Sequence, residues 1–465
     1  MSVAARHGSL ALLILAAVAL HGMAGAAKAS VAGENPCPAS PANSLPWVGE
    51  LAAEKITVPS VTAPGAEYPG TIVRPRRLPS GRVPVVVLQH GWGGDQCNLW
   101  WIALTLASRG YAVEVHSARF DANPVLAYQS AVDATRSALA NLSAVDGGAG
   151  PLRGKLDLDR LGLGGHSLGS IVASSLQGDP ELGIKAILAT DTLRRYAFGD
   201  PGGAINECVT PPVESSQVVP RVPALSFAKD EPCDLRPDFA PPDLKLSGPR
   251  WWTSHGIPNI QLVMRDHQHN TFGHTGSVDQ RRDLAGWIVP WFDRWLKGDR
   301  KADDKLLARK VGDRPTSELL STRFQSSACL PGRVDTEDYR GWVASGRGPA
   351  RTSCDRFDPP RPVVSKLRVS VNRRAVRPRR SVTLTLRVHN SGYGRASGLG
   401  VRLRSSARHL RLPRSVKLGV PPRQTAVRRV RVRIGARARG RVAVTAKLAG
   451  RSATIRFRVK RGRSR

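Results

Sequence analysis

Residues 160–170 read RLGLGGHSLGS. A short apolar run ends in glycines, a serine stands between two of them, and a second apolar run of helical character follows. Gly165, His166, Ser167, Leu168 and Gly169 have the form G-x-S-x-G. That form suits a sharp strand-to-helix corner, which lifts a serine hydroxyl clear of a sheet edge. Taken alone the pentapeptide is weak evidence, because small residues recur by chance. It requires a strand before it and a helix after it. It also requires backbone donors, a histidine and an acid within reach.

The flanks are legible. Val83–Gln89 (VPVVVLQ) is a β-branched run that reads as a buried strand. Gln96–Arg109 reads as a helix stopped by Gly110, and 111–116 (YAVEVH) as the next strand. The pattern continues with a helix over 123–144, a strand over 160–164 and a helix over 168–177. Strands follow at 185–190 (KAILAT), 222–228 (VPALSFA) and 260–264 (IQLVM). An amphipathic helix over 280–296 closes the series, with Pro290 as an expected kink. Strands alternating with helices imply a doubly wound, mostly parallel sheet covered on both faces.

The ends differ from this body. Arg6, the apolar run Leu10–Leu20 and Ala27-Lys28-Ala29 predict a signal peptide over 1–29. The run is too short for a membrane span of roughly 20 residues. Residues 30–300 then form the α/β domain, and 301–362 read as a polar linker with a possible disulfide. Six cysteines in an exported chain suggest disulfides, with Cys208–Cys233, Cys329–Cys354 and Cys37–Cys97 as the expected pairing. No C-x-x-C or Cys/His cluster suggests a metal, and no cofactor is expected.

Charge is partitioned sharply. Residues 361–465 hold 28 Arg and 4 Lys and no acid, whereas the other 360 residues hold 38 basic and 36 acidic groups. Residues 363–465 also change pattern, to short alternating strands such as SVTLTLRVHN and AVRRVRVRI separated by turn residues. This spacing predicts a small all-β sandwich with cationic faces.

Acyl transfer by serine requires a nucleophile, a base, an orienting acid and donors for an oxyanion. Ser167 is the nucleophile in this reading. The amide of Leu168 is one donor. HGWGGD (90–95) follows the first long strand and offers the amide of Trp92 as the second. The base must follow the last strand, where MRDHQHNTFGH supplies His267, His269 and His274. His269 is preferred and His267 is the alternative. For the acid, Asp191 ends one strand, and Asp230 and Glu231 follow the next. Trp100–Trp101 and Trp251–Trp252 either line an apolar site or pack in the core.

Together, HGWGG, RGYAVEV, LDLDRLGLGGHSLGS, IKAILAT, IQLVM…HQHNTF and WIVPWFDRWLKGD resemble the α/β-hydrolase superfamily over roughly residues 83–299. The chain is similar to cutinase-like polyester hydrolases, platelet-activating-factor acetylhydrolases and dienelactone-hydrolase-like lipases. The resemblance implies that Ser167 and His269 are catalytic, with Trp92 and Leu168 as oxyanion donors. Where the polyester hydrolases carry their acid, this chain has Pro232. The acetylhydrolases take the acid from the preceding strand end, which here is Asp191. The basic region loosely resembles the Ig-like adhesion modules of exported bacterial proteins.

The expectation is thus a secreted serine esterase or lipase acting on an ester substrate. Its basic domain would tether it to an anionic cell-wall or surface polymer. Specific nucleic-acid binding is not expected, because no aromatic stacking platform accompanies the charge. The alternatives are a non-catalytic adhesion protein and an acyltransferase that uses the same residues.

Overall fold

Val83–Gln89 is buried along its whole length, with successive side chains alternating between two separate cores. An apolar run of this kind can satisfy its backbone only inside a sheet covered on both sides. The computed structural model describes residue 37 and residues 53–57, 61–63, 66–68, 70–191, 193–195, 217–231, 244–346, 353–357, 359, 362–391, 396–420 and 424–460. The expected signal peptide, the expected Cys208–Cys233 pair and Pro232 lie outside the described residues.

The large sheet is built from β1 (Ala53–Thr57), β2 (Thr71–Pro75), β3 (Val83–Gln89), β4 (Ala112–His116), β5 (Leu156–His166), β6 (Ile184–Thr190), β7 (Ala224–Lys229), β8 (Asn259–Met264), β9 (Ser327–Leu330) and β10 (Val334–Thr336). Their order is β1-β2-β4-β3-β5-β6-β7-β8-β9-β10. The six strands from β4 to β8 run parallel. The outer strands on both sides pair antiparallel.

The crossover helices are α1 (Trp100–Ala107), α2 (Pro124–Gly147), α3 (Leu168–Leu176), α4 (Ser247–Ser254) and α5 (Val278–Phe292). Buried side chains of α1 and α5 share one core with Val86, Leu88, Val113 and Phe227. Those of α2, α3 and α4 share the other with Val85, Val87, Leu163 and Ile187. Helix α5 runs on through Pro290, and its continuation Asp293–Lys297 widens into a π-helical turn.

One expectation is corrected. Residues 301–362 are not simply a linker. β9 and β10 extend the large sheet, and Leu319, Leu320, Leu330 and Tyr339 complete the α1/α5 core. Their polar, turn-rich neighbours mask these short strands in the sequence. β1 and β2 also lie ahead of the first strand read from the sequence. Cys37–Cys97 and Cys329–Cys354 are bonded as expected, with Cα separations of 5.2 and 6.0 Å. Among the described residues no helix is long and apolar enough to cross a membrane.

The C-terminal region is all-β: β11 (Val364–Val371), β12 (Ala375–Val376), β13 (Ser381–Asn390), β14 (Ala396–Ser405), β15 (Leu410–Arg411), β16 (Ser415–Val420), β17 (Thr425–Ile434), β18 (Gly440–Leu448) and β19 (Arg451–Val459). They form two sheets, β11-β13-β17-β15 and β12-β19-β18-β14-β16, over one apolar core. Pairing is antiparallel except between β12 and β19.

One buried group in β4 opposes stability. Glu114 is 1% exposed, lies between Ile72 and Val87 of the adjacent strands, and neither carboxyl oxygen has a hydrogen-bond partner. Burial pushes its carboxyl up to about 8, from 4.5. The folded chain therefore holds a proton that the unfolded chain releases. Stability is highest below pH 4.5 for this group and falls as pH rises towards 8, by roughly 4 kcal/mol. Glu114→Gln is expected to remove that slope. Chemical denaturation of both proteins at pH 5 and pH 8 should show a variant advantage that grows with pH. An advantage independent of pH would refute the assignment.

Candidate functional site

The corner at Ser167 depends on close backbone approach. A Cβ on Gly165 would lie 2.2 Å from the carbonyl carbon of Gly169, and one on Gly169 would lie 2.0 Å from the Gln89 carbonyl oxygen. Neither position can carry a side chain. Between them Ser167 sits at φ 53°, ψ −116°, a conformation costly to a residue with a Cβ by about 1–3 kcal/mol. Its amide donates to the Thr190 carbonyl (3.1 Å), and its carbonyl accepts from the amides of Ser170 and Ile171. The Ser170 hydroxyl is shared between the carbonyls of Gly165 and Thr190 (2.8 and 3.0 Å), and Thr190 Oγ1 donates to Gly165 (3.0 Å). Motif reading missed Ser170 and Thr190. Their signal was only a buried hydroxyl three residues into a helix and another at a strand end.

The loop after β3 closes against this corner. A Cβ on Gly91 would lie 3.1 Å from Ser167 Cβ. His90 Nδ1–H donates to the Gly91 carbonyl (2.6 Å), and His90 Nε2 accepts from the Ala118 amide (2.8 Å). Burial lowers the pKa of His90, in keeping with this neutral tautomer. The Gly91 carbonyl also accepts from the Gly94 amide (3.1 Å). In a planar trans peptide the Trp92 N–H points opposite to that carbonyl. Among the described residues neither the Trp92 amide nor the Leu168 amide has an acceptor. The Trp92 indole lies at the rim, where Nε1 donates to the Asp121 carbonyl (2.8 Å).

His269 follows β8 and opens a short 3-10 turn, His269–Phe272. Its Nδ1 lies 2.8 Å from Asp191 Oδ2. Asp191 follows β6 at φ 102°, and its amide donates to the Phe227 carbonyl (2.9 Å). Its side chain is only 12% exposed. Burial works against the charge of Asp191, but the His269 ring, through charge and hydrogen bond, outweighs it. The carboxyl is held well below the usual carboxylate range.

The loop carrying His269 is pinned by groups that sequence reading did not assign. Trp101 Nε1 donates to the Gly273 carbonyl (2.9 Å), and the Arg281 guanidinium donates to the His274 carbonyl (2.7 Å). His166 Nε2–H donates to the His269 carbonyl (2.9 Å), with the two rings 4.8 Å apart. Burial, reinforced by the neighbouring His269, lowers His166 to about 4 and keeps it neutral. A Cβ on Gly91 would lie 3.1 Å from His166 Nδ1. His166 therefore spans from the Gly91 loop to the His269 loop, directly before Ser167 in the chain.

The other expected site residues stand apart. His267 is 4% exposed, donates from Nδ1 to the Arg265 carbonyl (2.8 Å) and stacks on Phe272. Asp230 accepts from the Ser321 hydroxyl, and Glu231 lies 4.0 Å from Lys229 Nζ. Trp100 and Trp101 are buried in the α1/α5 core. Trp251 and Trp252 lie in α4, with their indoles bonded to the Val218 and Val222 carbonyls. Among the described residues no cluster of three or more His, Cys, Asp or Glu could hold a metal ion.

Ser167, Asp191, His269 and Trp92 thus follow β5, β6, β8 and β3, all at the carboxyl ends of parallel strands. Open α/β sheets gather their sites at that edge. No protein-family model matches this chain, and no curated protein matches it in sequence.

Proposed function

We propose that the chain is a serine carboxylic-ester hydrolase of the α/β-hydrolase type, exported and held at anionic surfaces by its basic sandwich. The contact between Asp191 and His269 supports this reading, because it pairs an acid with a histidine at the sheet edge that also carries the strained Ser167. The chain order Ser, Asp, His is the order that accompanies a nucleophile elbow. The order of β1 to β8, with Ser167 after β5, supports the same assignment. The two disulfides suit an oxidising compartment.

In this mechanism Ser167 Oγ attacks the ester carbonyl carbon while its proton passes to His269 Nε2. Asp191 holds Nδ1–H and stabilises the imidazolium that forms. The amides of Trp92 and Leu168 receive the developing oxyanion, and the amino end of α3 adds a favourable dipole. The carbon–oxygen bond then breaks, and His269 returns the proton to the leaving alcohol. Water repeats the sequence on the acyl-enzyme, releasing the acid and restoring Ser167.

A fluorophosphonate probe followed by peptide mapping tests the assignment. The expected result is one labelled peptide, containing Ser167. Labelling at another serine, or none, would overturn it.

A further inference from the structure

The sandwich carries its cations in an ordered array rather than at random. On the β11-β13-β17 face, Lys366, His389 and Thr425 form one cross-strand row, and Arg368, Arg387 and Val427 form the next. These six residues line a cleft of about 560 Å³. Beyond it the outward positions continue as Ser370, Thr385 and Arg429, then Thr383 and Arg431, then Ser381 and Arg433. Successive outward residues on a strand are about 6.8 Å apart, so the cations form a band along the sheet. Arg368 stands directly opposite Arg387, a like-charge pairing that destabilises a bare sheet. No Asp or Glu in residues 361–465 relieves it.

Three features of this face point to one ligand chemistry. Guanidinium groups dominate over ammonium groups, and their fork fits the oxygens of an oxyanion. Hydroxyls of Ser370, Thr383 and Thr385 lie between the cations and can donate to further oxygens, while the Thr425 hydroxyl is bonded to His389 Nδ1 (3.0 Å). No Phe, Tyr or Trp stands among the cleft residues, so bases would find no stacking surface.

We infer that the cleft and its adjoining band bind a linear surface polymer with repeating phosphate groups, laid along β11, β13 and β17. This deepens the proposal that the sandwich is an anchor and rests on it. Fixed anions between Arg368 and Arg387 would turn a repulsive pair into a bridged one. Binding to many such groups releases counterions and falls steeply with salt.

The test uses the full-length protein and long-chain inorganic polyphosphate, with orthophosphate, polygalacturonate and oligo-thymidylate as comparisons. Lys366→Glu/Arg368→Glu alters the cleft. Arg456→Glu/Arg458→Glu makes the same charge change on the exposed face of the other sheet, where Arg458 opposes Arg441. Each variant leaves an acid facing an arginine, so folding should persist; melting curves check this, and Lys366→Gln/Arg368→Gln replaces a variant that fails.

The cleft variant is expected to lose at least about tenfold in polyphosphate affinity and to show a shallower salt dependence, by roughly 1–2 in the log–log slope. The other-face variant should lose less than about threefold, since it leaves the contacting cations in place. Orthophosphate should not compete at equal phosphate concentration. Equal losses in the two variants would overturn the cleft while leaving a diffuse anchor. Tighter binding to polygalacturonate would overturn the phosphate assignment, and tighter binding to oligo-thymidylate would overturn the surface polymer in favour of a nucleic acid. No binding to any polyanion at low salt would overturn both the cleft and the anchor.

Discussion

Replacing Ser167 with alanine is expected to lower kcat on a short-chain p-nitrophenyl ester by roughly a millionfold, to the level of residual binding effects. The reason is chemical: no other group at the corner can form the acyl-enzyme. The fold should survive. The elbow is held by backbone bonds through the Ser167 amide and carbonyl and by the hydroxyls of Ser170 and Thr190, and none of these uses Ser167 Oγ. The strain at φ 53° remains in the alanine variant. Ser167→Gly should therefore be equally inactive but more stable, by about 1 kcal/mol or more. Turnover unchanged in the alanine variant would dismiss the serine mechanism, and only the uncatalysed background rate in both proteins would leave an adhesion role for the chain.

Asp191→Asn is expected to lower kcat by about 10⁴ with little change in KM. Asparagine can keep the 2.8 Å contact to His269 Nδ1, but by donating its amide N–H to that nitrogen. The imidazole would then carry its proton on Nε2 and could not accept one from Ser167. The left-handed backbone at Asp191 is tolerated by asparagine, so the loss should not come with unfolding. Asp230→Asn and Glu231→Gln are the controls. Asp230 answers to Ser321 and Glu231 to Lys229, so both variants should keep most of their activity. Because the Asp191 carboxyl is held well below the ordinary carboxylate range, the acid limb of kcat/KM should report the imidazole instead. Loss of activity in Asp230→Asn with Asp191→Asn unaffected would move the acid to the next strand.

Short-range signals in the sequence carried much of this. The buried strand at 83–89, the glycines around Ser167 and the alternating Arg and apolar residues of 427–434 each report their own few neighbours. Side-chain period is a local quantity, and so is the Gly165–Gly169 approach, whereas the approach of Gly169 to Gln89 exists only in the folded chain. The division of charge at residue 361 is likewise a property of composition alone.

The tertiary structure decided what depends on register between distant strands. Asp191, Asp230 and Glu231 are equivalent as letters after a strand. Only the bend of Asp191 over β7, fixed by the hydrogen bond from its N–H to the Phe227 carbonyl, turns one carboxylate towards His269. His267 and His269 differ by two residues, yet one stacks in the core and the other faces out. The short strands β9 and β10 gained their identity from the partners they pair with, because a strand of three or four residues carries little sequence periodicity of its own. His166 and Trp101 hold the site through carbonyls far along the chain, His90 through the distant Ala118 amide, and Arg281 through the His274 carbonyl of the loop it anchors. Those contacts arise when burial forces each polar group to find a partner, and no sequence window contains both ends of most of them.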